Sequence, residues 1–241
     1  MTPVEQLTQM LRESNRIVFF GGAGVSTASG IPDFRSANGL YNQKYKRTLS
    51  PEEMVSHSFF VRDPEDFFDF YRDKLIYPEA QPNDCHKALA ALEKAGKLNA
   101  VVTQNIDGLH QKAGSRHVCE LHGSIYRNHC TKCRRGYSLD QIMEMKGVPT
   151  CECGGIIKPD VVLYGEGLDN SVVTDAIRSI READTMIVGG TSLAVYPAAG
   201  LIDYFRGQTL IVINLSSTPR DREATICVHE KIGEALSFLL D

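Results

Sequence analysis

A short apolar run, Ile17-Val18-Phe19-Phe20, leads straight into Gly21-Gly22-Ala23-Gly24 and then into small residues up to Ser29. Strand, glycine turn and helix start form the arrangement that cradles a pyrophosphate. Glycine lets the backbone turn tightly, and the free N–H groups of a helix N-terminus, opened here by Ser26 or Thr27, face the anion. The match to G-x-G-x-x-G is partial. Thr27 stands where the third glycine belongs, and no acidic residue follows at the spacing that holds a ribose. On these residues alone an ordinary βα turn stays open. Beyond the turn, Pro32 ends any helix and delivers an aromatic, Phe34, and a cation, Arg35, next to the expected phosphate position.

Other residues at strand ends could do chemistry. Residues 98–103 read as a strand that runs into Gln104-Asn105-Ile106-Asp107-Gly108, with three polar side chains in four residues. A binding site and an Asx turn both fit. Residues 117–121 read as a short strand ending at His122-Gly123. That position is expected to be exposed, and histidine is the side chain best poised to move a proton near neutral pH; a structural histidine is the alternative. Cys130-x-x-Cys133 and Cys151-x-Cys153 make two close thiol pairs. Such pairs supply the four soft donors of tetrahedral zinc, and redox dithiols are the weaker reading. Cysteine takes all four positions and leaves no open one for water, so the metal is expected to be structural. Cys85 and His86, in the first turn of a helix, have no evident third partner and read as structural.

The elements that must position these residues follow from the pattern. Helices are expected near the N-terminus, with Val4, Leu7, Met10 and Leu11 on one side, and over 83–97, 170–182 and 197–205, with a last one opened by Ile232. Strands are expected at 16–20, 98–103, 117–121, 158–164, 185–188 and 209–214. This alternation is that of a doubly wound parallel α/β sheet. Two segments interrupt it: 36–77, polar and aromatic with helix starts at Ser50-Pro51 and Asp63-Pro64, and the cysteine module at 124–157. The expected division is a discontinuous Rossmann-like domain (1–35, 78–123 and 158–241) and a smaller lobe made of the helical insert (36–77) and the zinc module (124–157).

Composition fits a soluble globular protein: 241 residues, 42% hydrophobic and 23% charged. A net charge of −4 implies no general affinity for nucleic acid or anionic membrane, and no apolar run approaches the roughly 20 residues of a spanning helix. The N-terminal stretch lacks the apolar core of a signal peptide, and seven cysteines without a signal argue for thiols and metal, so a cytoplasmic location is expected.

Taken together, the chain resembles the sirtuin family of NAD-dependent protein deacylases. The matching pieces are GAGVSTASGIPDFR (22–35), TQNIDGLH (103–110), LHG (121–123), the four cysteines, KPDVVLYGE (158–166), GTSLAVYP (190–197) and VIN (212–214), in family order over nearly the whole chain. The resemblance implies NAD as co-substrate and one structural zinc on Cys130, Cys133, Cys151 and Cys153. It implies Ala23 and Thr27 on the diphosphate, Arg35 near the phosphates and ribose, and Phe34 over the nicotinamide pocket. Ile106 and Asp107 would hold the nicotinamide amide, and Gln104 and Asn105 would contact its ribose and the water. Thr191, Ser192, Asn214 and Ile232 would line the adenosine half.

The resemblance also implies His122 as general base, with Asn105 beside it in the catalytic set. The acyl oxygen of acetyl-lysine would attack C1′ of the nicotinamide ribose and nicotinamide would leave. His122 would then accept a proton from the ribose hydroxyls, and water would finish the reaction, giving lysine and O-acetyl-ADP-ribose. Acetylated-lysine proteins would bind as an added strand beside Val162, Gly165, Glu166 and Val195. Sirtuins that prefer acidic acyl groups carry a Tyr-x-x-Arg pair in the insert. Here Tyr71 is followed by Lys74, with Arg72 adjacent, so an uncharged acyl group is expected. Mono-ADP-ribosyl transfer and a non-catalytic NAD-binding regulator are the alternative functions.

Overall fold

The computed structural model describes residues 1–34, 36, 39–40 and 49–240. In chain order its helices are α1 (Pro3–Glu13), α2 (Pro51–Met54), α3 (His57–Arg62), α4 (Pro64–Lys74), α5 (Asp84–Lys94), α6 (Leu109–Ala113), α7 (Leu139–Glu144), α8 (Asn170–Glu182) and α9 (Ile232–Ala235). Its strands are β1 (Ile17–Gly21), β2 (Leu98–Thr103), β3 (Val118–Glu120), β4 (Gly123–Cys130), β5 (Gly136–Ser138), β6 (Ile157–Val161), β7 (Thr185–Gly189), β8 (Thr209–Ile213) and β9 (Ile226–Val228).

Six strands form a parallel sheet in the order β3-β2-β1-β7-β8-β9. Every residue of β1 and β7 is buried, as expected of central parallel strands covered on both faces. Successive residues face opposite sides. Ile17 and Phe19 join Leu7, Leu89, Ile213 and Leu236 in one core, while Val18 and Phe20 join Ile180, Met186, Val188 and Ile202 in the other. The chain leaves β1 towards β2 on one side and later returns to β7 on the other. The β1–β7 pair is therefore the topological switch point, where ligands of such sheets bind beyond the carboxyl ends.

A second sheet, β5-β4-β6, is antiparallel. The helical insert packs on it: Phe59, Phe60, Phe67, Phe68, Phe70 and Tyr71 share a core with Ile125, Val161 and Leu163. Arg72 ties the insert to the cysteine module. Its guanidinium donates to the carbonyls of Gly147 at 2.7 Å and Met145 at 2.9 Å, just past the C-terminus of α7, where carbonyls lack helical partners.

Several expectations need correction. No α-helix follows the glycine turn; the chain makes two 3₁₀ turns, Ala23–Val25 and Thr27–Ser29, ended by Gly30 at φ +83° ahead of Pro32. Residues Ala198–Tyr204 are likewise 3₁₀ rather than α. The strand expected over 158–164 is β6, which ends at Val161 and belongs to the small sheet. The edge strand β9 carries too short an apolar signal to stand out in sequence. Among the described residues no helix is long and apolar enough to cross a membrane.

His86 and His110 form a buried pair behind the glycine turn, their ring centroids 4.7 Å apart. His86 Nδ1 accepts the N–H of Asn83, while Nε2 of His86 and both nitrogens of His110 are buried without a hydrogen-bond partner. Burial pushes His86 down to about 4 and His110 well below the usual histidine range. Both rings are therefore neutral in the folded protein and protonate in the unfolded chain near 6.5. Folded-state pKa values below the unfolded one mean full stability above pH about 6.5 and loss as pH falls towards 4, by about 1.4 kcal/mol per pH unit for each ring. Chemical denaturation at pH 7, 6 and 5 checks this. His110→Phe is expected to reduce the pH dependence by about half; an unchanged slope would count against the pair as its source.

Candidate active site

The switch point is built by two glycine turns pressed together. Gly24 donates its N–H to Gly190 O at 2.8 Å, and Gly22 donates to Gly189 O at 3.4 Å. A Cβ on Gly24 would lie 2.9 Å from the Gly190 backbone, and Gly190 itself sits at φ +58°, so both positions require glycine. Ala23 and Thr27 lie on this turn; Thr27 is exposed and its hydroxyl donates to Gly24 O. The apposition leaves backbone without side-chain bulk where a diphosphate would approach, so the residues present fit a dinucleotide.

Beside this turn, β2 brings in the polar residues that follow it. Gln104 donates its N–H to Gly21 O at 2.9 Å and its side-chain Nε2–H to Thr191 Oγ1 at 3.1 Å, joining three strand ends. Asn105 is fixed by its N–H on Thr103 Oγ1 and donates Nδ2–H to Ser26 Oγ at 3.1 Å. Ser26 in turn donates to Asp107 Oδ2 at 2.6 Å, while Asp107 Oδ1 accepts the N–H of Leu109 at 2.9 Å. Burial raises the Asp107 carboxyl above its usual range, and the bonds from Ser26 and Leu109 oppose this. The Asx turn and the polar cluster are thus one structure: the turn and Ser26 together aim Asp107. Ile106 donates no side-chain bond; it packs against the aromatic core of the insert, and its carbonyl accepts from Ile125 N–H at 3.1 Å.

His122 is partly buried rather than exposed. Its Nδ1 lies 3.0 Å from Gln104 O. A carbonyl only accepts, so Nδ1 carries the proton and the lone pair sits on Nε2, the tautomer of a base. Burial lowers the His122 pKa, and the Gln104 carbonyl opposes the shift. The backbone is pinned as well. His122 O accepts from Val162 N–H at 2.9 Å, and Gly123 turns at φ +75° with Asp160 O where a Cβ would stand.

The other sequence-nominated residues fall in three groups. Thr191 is buried on the same turn, and Ser192 is exposed beside it. Asn214 sits just past β8 and donates Nδ2–H to Ser216 O at 2.8 Å, whereas Ile232 lies in the main core with its side chain against Gly189. Phe34 is half-buried; Arg35 lies outside the described residues. Near the small sheet, Gly165 turns at φ +89° and is exposed, and Val195 O accepts from Ala199 N–H. The Glu166 carboxylate is engaged by Lys158 Nζ at 3.0 Å, His57 Nδ1 at 2.8 Å and Leu163 N–H at 2.9 Å; the latter two bonds and the lysine charge hold its pKa below the usual range against burial.

Sequence reasoning missed the supports of the site. Ser26 was legible only as a helix opener, and Asn83 only as the cap of α5. Asn83 also donates Nδ2–H to Val25 O at 2.8 Å and Ser29 Oγ at 2.9 Å, bracing the glycine turn. Tyr126 of β4 packs its ring over Gly108, where a Cβ would lie 2.7 Å from it.

The four cysteines converge as expected. Cys130 Sγ lies 3.4 Å from Cys153 Sγ and Cys133 Sγ 3.6 Å from Cys151 Sγ, and all four sulfurs lie within 4.8 Å of one another. Zinc–sulfur bonds of about 2.3 Å in a tetrahedron space sulfurs about 3.8 Å apart, so the set fits zinc. Lys132 N–H points at Cys130 Sγ at 3.4 Å, as in a metal knuckle. The cluster closes the ends of β4 and β6. Cys151→Ser is expected to abolish stoichiometric zinc, read by elemental analysis, and to lower the melting temperature; retention of one zinc per chain would overturn the assignment.

Comparison with known proteins agrees with this geometry. The family model described as Sir2 family matches residues 22–197. An NAD-dependent protein deacetylase of Clostridium perfringens is 60% identical over 240 residues, covering 99% of this chain and 98% of that protein. One from Staphylococcus aureus (strain N315) is 44% identical over 237 residues, covering 98% of each. A solved structure of a Sir2–p53 peptide–NAD+ complex superposes with a TM-score of 0.86 at 38% identity, covering 98% of this chain and 97% of that one. The glycine apposition, the tethered histidine and the four-sulfur cluster lie in a chain that these likenesses span almost from end to end, and that chain belongs to the Sir2 family.

Proposed function

We infer that this protein is an NAD-dependent protein lysine deacetylase that moves the acetyl group of acetyl-lysine onto ADP-ribose and releases nicotinamide. The observation that carries this reading is the His122–Gln104 contact, because it leaves a base nitrogen free beside the residues of the switch point. NAD would supply the electrophilic ribose carbon and the hydroxyls that receive the acyl group. Its diphosphate would lie on Ala23 and Thr27, with Arg35 close by and Phe34 over the nicotinamide. Thr191, Ser192 and Asn214 would hold the adenosine half, with Ile232 shaping the core beneath it. Asp107 and Ile106 would bind the nicotinamide amide, Asp107 as an acceptor whose aim Ser26 sets. Gln104 and Asn105 would orient the ribose and the water. His122 Nε2 would take the proton from a ribose hydroxyl, a contribution of roughly 10²–10⁴-fold.

The acetylated protein would add as a strand beside Val162, Gly165 and Val195, between the parallel sheet and the lobe formed by 36–77 and 124–157. Glu166 would act through the loop it braces, since its carboxylate is already engaged. All seven cysteines are free, which suits the reducing cytoplasm where we place the enzyme.

Mass spectrometry of an acetyl-lysine peptide, with and without NAD, tests the reaction. NAD-dependent loss of acetyl with matching O-acetyl-ADP-ribose is expected, reduced at least 100-fold in His122→Ala. Nicotinamide release with ADP-ribose added to protein would instead indicate a transferase, and NAD binding without turnover a regulator. The rate should fall with decreasing pH as Nε2 protonates, and burial places that acid limb below the usual histidine value near 6.5. An acid limb above 7 would contradict the tethered-base geometry.

The insert also speaks to acyl preference. Tyr71 is fully buried and stacks on Phe67, and Arg72 is committed to the carbonyls beyond α7. Lys74 is paired with Asp73 at 3.1 Å. No side chain of this helix is thereby offered as a bidentate carboxylate fork. Acetyl is expected to be removed faster than succinyl from one peptide; the reverse order in a competition assay would refute this.

A further inference from the structure

On the outer edge of the parallel sheet, away from the glycine turns, three metal-binding side chain types meet. His117 and Cys119 are two residues apart at β3, so both point to the face covered by α8. Asp175 of α8 meets them there. His117 Nε2 lies 2.8 Å from Asp175 Oδ2, Cys119 Sγ lies 3.5 Å from the same oxygen, and Cys119 Sγ lies 4.0 Å from His117 Nε2. A zinc-class cation, with bonds of about 2.0–2.3 Å, holds such donors about 3.3–3.7 Å apart, and the three observed separations bracket that span.

The histidine is oriented as a ligand would be. Its Nδ1 lies 2.7 Å from Asn99 O, so Nδ1 carries a proton and donates it to the backbone carbonyl, the usual outer partner of a metal-bound imidazole. In the neutral ring the Nε2 lone pair then faces a carboxylate oxygen, acceptor against acceptor, and only a cation placed between them satisfies both. That cation is a proton or a metal. The second carboxylate oxygen, Asp175 Oδ1, is held by Arg178, which leaves Oδ2 as a single, aimed donor. Cys119 is buried while His117 and Asp175 are each about a third exposed, giving a soft donor at the base and an open side for entry.

We propose that His117, Cys119 and Asp175 form a second metal site of this protein, taking one divalent cation of the zinc class with a water in the fourth position. Loading exchanges two protons for the metal, one from Cys119 Sγ and one from His117 Nε2, and leaves thiolate, carboxylate and cation neutral in sum. The site belongs to neither the four-cysteine cluster nor the NAD site. Its effect is local: it ties the edge strand β3 to α8, three residues ahead of His122.

Cobalt titration of the protein carrying its structural zinc tests the proposal, with bound metals counted by native mass spectrometry. The wild type is expected to take up one Co2+ while keeping its zinc and to develop a near-ultraviolet thiolate-to-cobalt band. Cys119→Ser should lose the band, and His117→Gln, at a partly exposed position, should bind Co2+ at least tenfold more weakly with unchanged zinc content. Two results overturn the site: no Co2+ beyond what exchanges with the structural zinc, or a band and affinity in His117→Gln equal to wild type. Because the readout is metal stoichiometry, it is independent of whether the chain deacetylates peptides.

Discussion

Gly24 donates to Gly190 across the gap between β1 and β7, and the rest of the site is registered to that contact. Neither residue could carry a Cβ without parting the two turns. Their closeness fixes Thr191, which fixes the Gln104 side chain, whose backbone carbonyl then holds His122. A close approach of backbone in one place thus sets the tautomer of a histidine on a different strand. The order β3-β2-β1-β7-β8-β9 makes this possible, because only at the switch point do neighbouring strands send their following loops to opposite sides and leave a crevice between.

The candidate site spans two sheets with different jobs. The parallel sheet supplies rigid strand ends, while the small antiparallel sheet carries His122 away into β4 and closes over it through the Val162 N–H. The aromatic core of the insert and the four-sulfur cluster give the small sheet a stability that three short strands could not provide alone. Arg72 joins these two supports directly, its guanidinium held by the carbonyls of Gly147 and Met145. The insert therefore works as scaffold for the small sheet.

Burial acts on the titrating groups in a consistent way. Asp107 is pushed up and His122 down, each opposed by hydrogen bonds. Deeper in, the His86–His110 pair keeps a single bond, from Asn83 N–H to His86 Nδ1, and both rings are pushed down by burial.

The sequence by itself determined the family, the alternation of strands and helices and the convergence of the four cysteines. These rest on local chemistry: glycine where backbone must turn, cysteine pairs at knuckle spacing, and continuous apolar runs where parallel strands are covered on both faces. Tertiary structure alone decided what depends on groups far apart in the chain. Ser26 and Asp107 are 81 residues apart, so no local pattern could reveal Ser26 as the residue that aims the carboxylate. The same holds for Asn83 bracing the glycine turn. The 3₁₀ turns that replaced the expected helix after β1 were decided by packing against Gly190, which overrode the capping signal of Ser26 and Thr27. His117, Cys119 and Asp175 carry no motif; they meet because strand periodicity and the docking of α8 place them on one face.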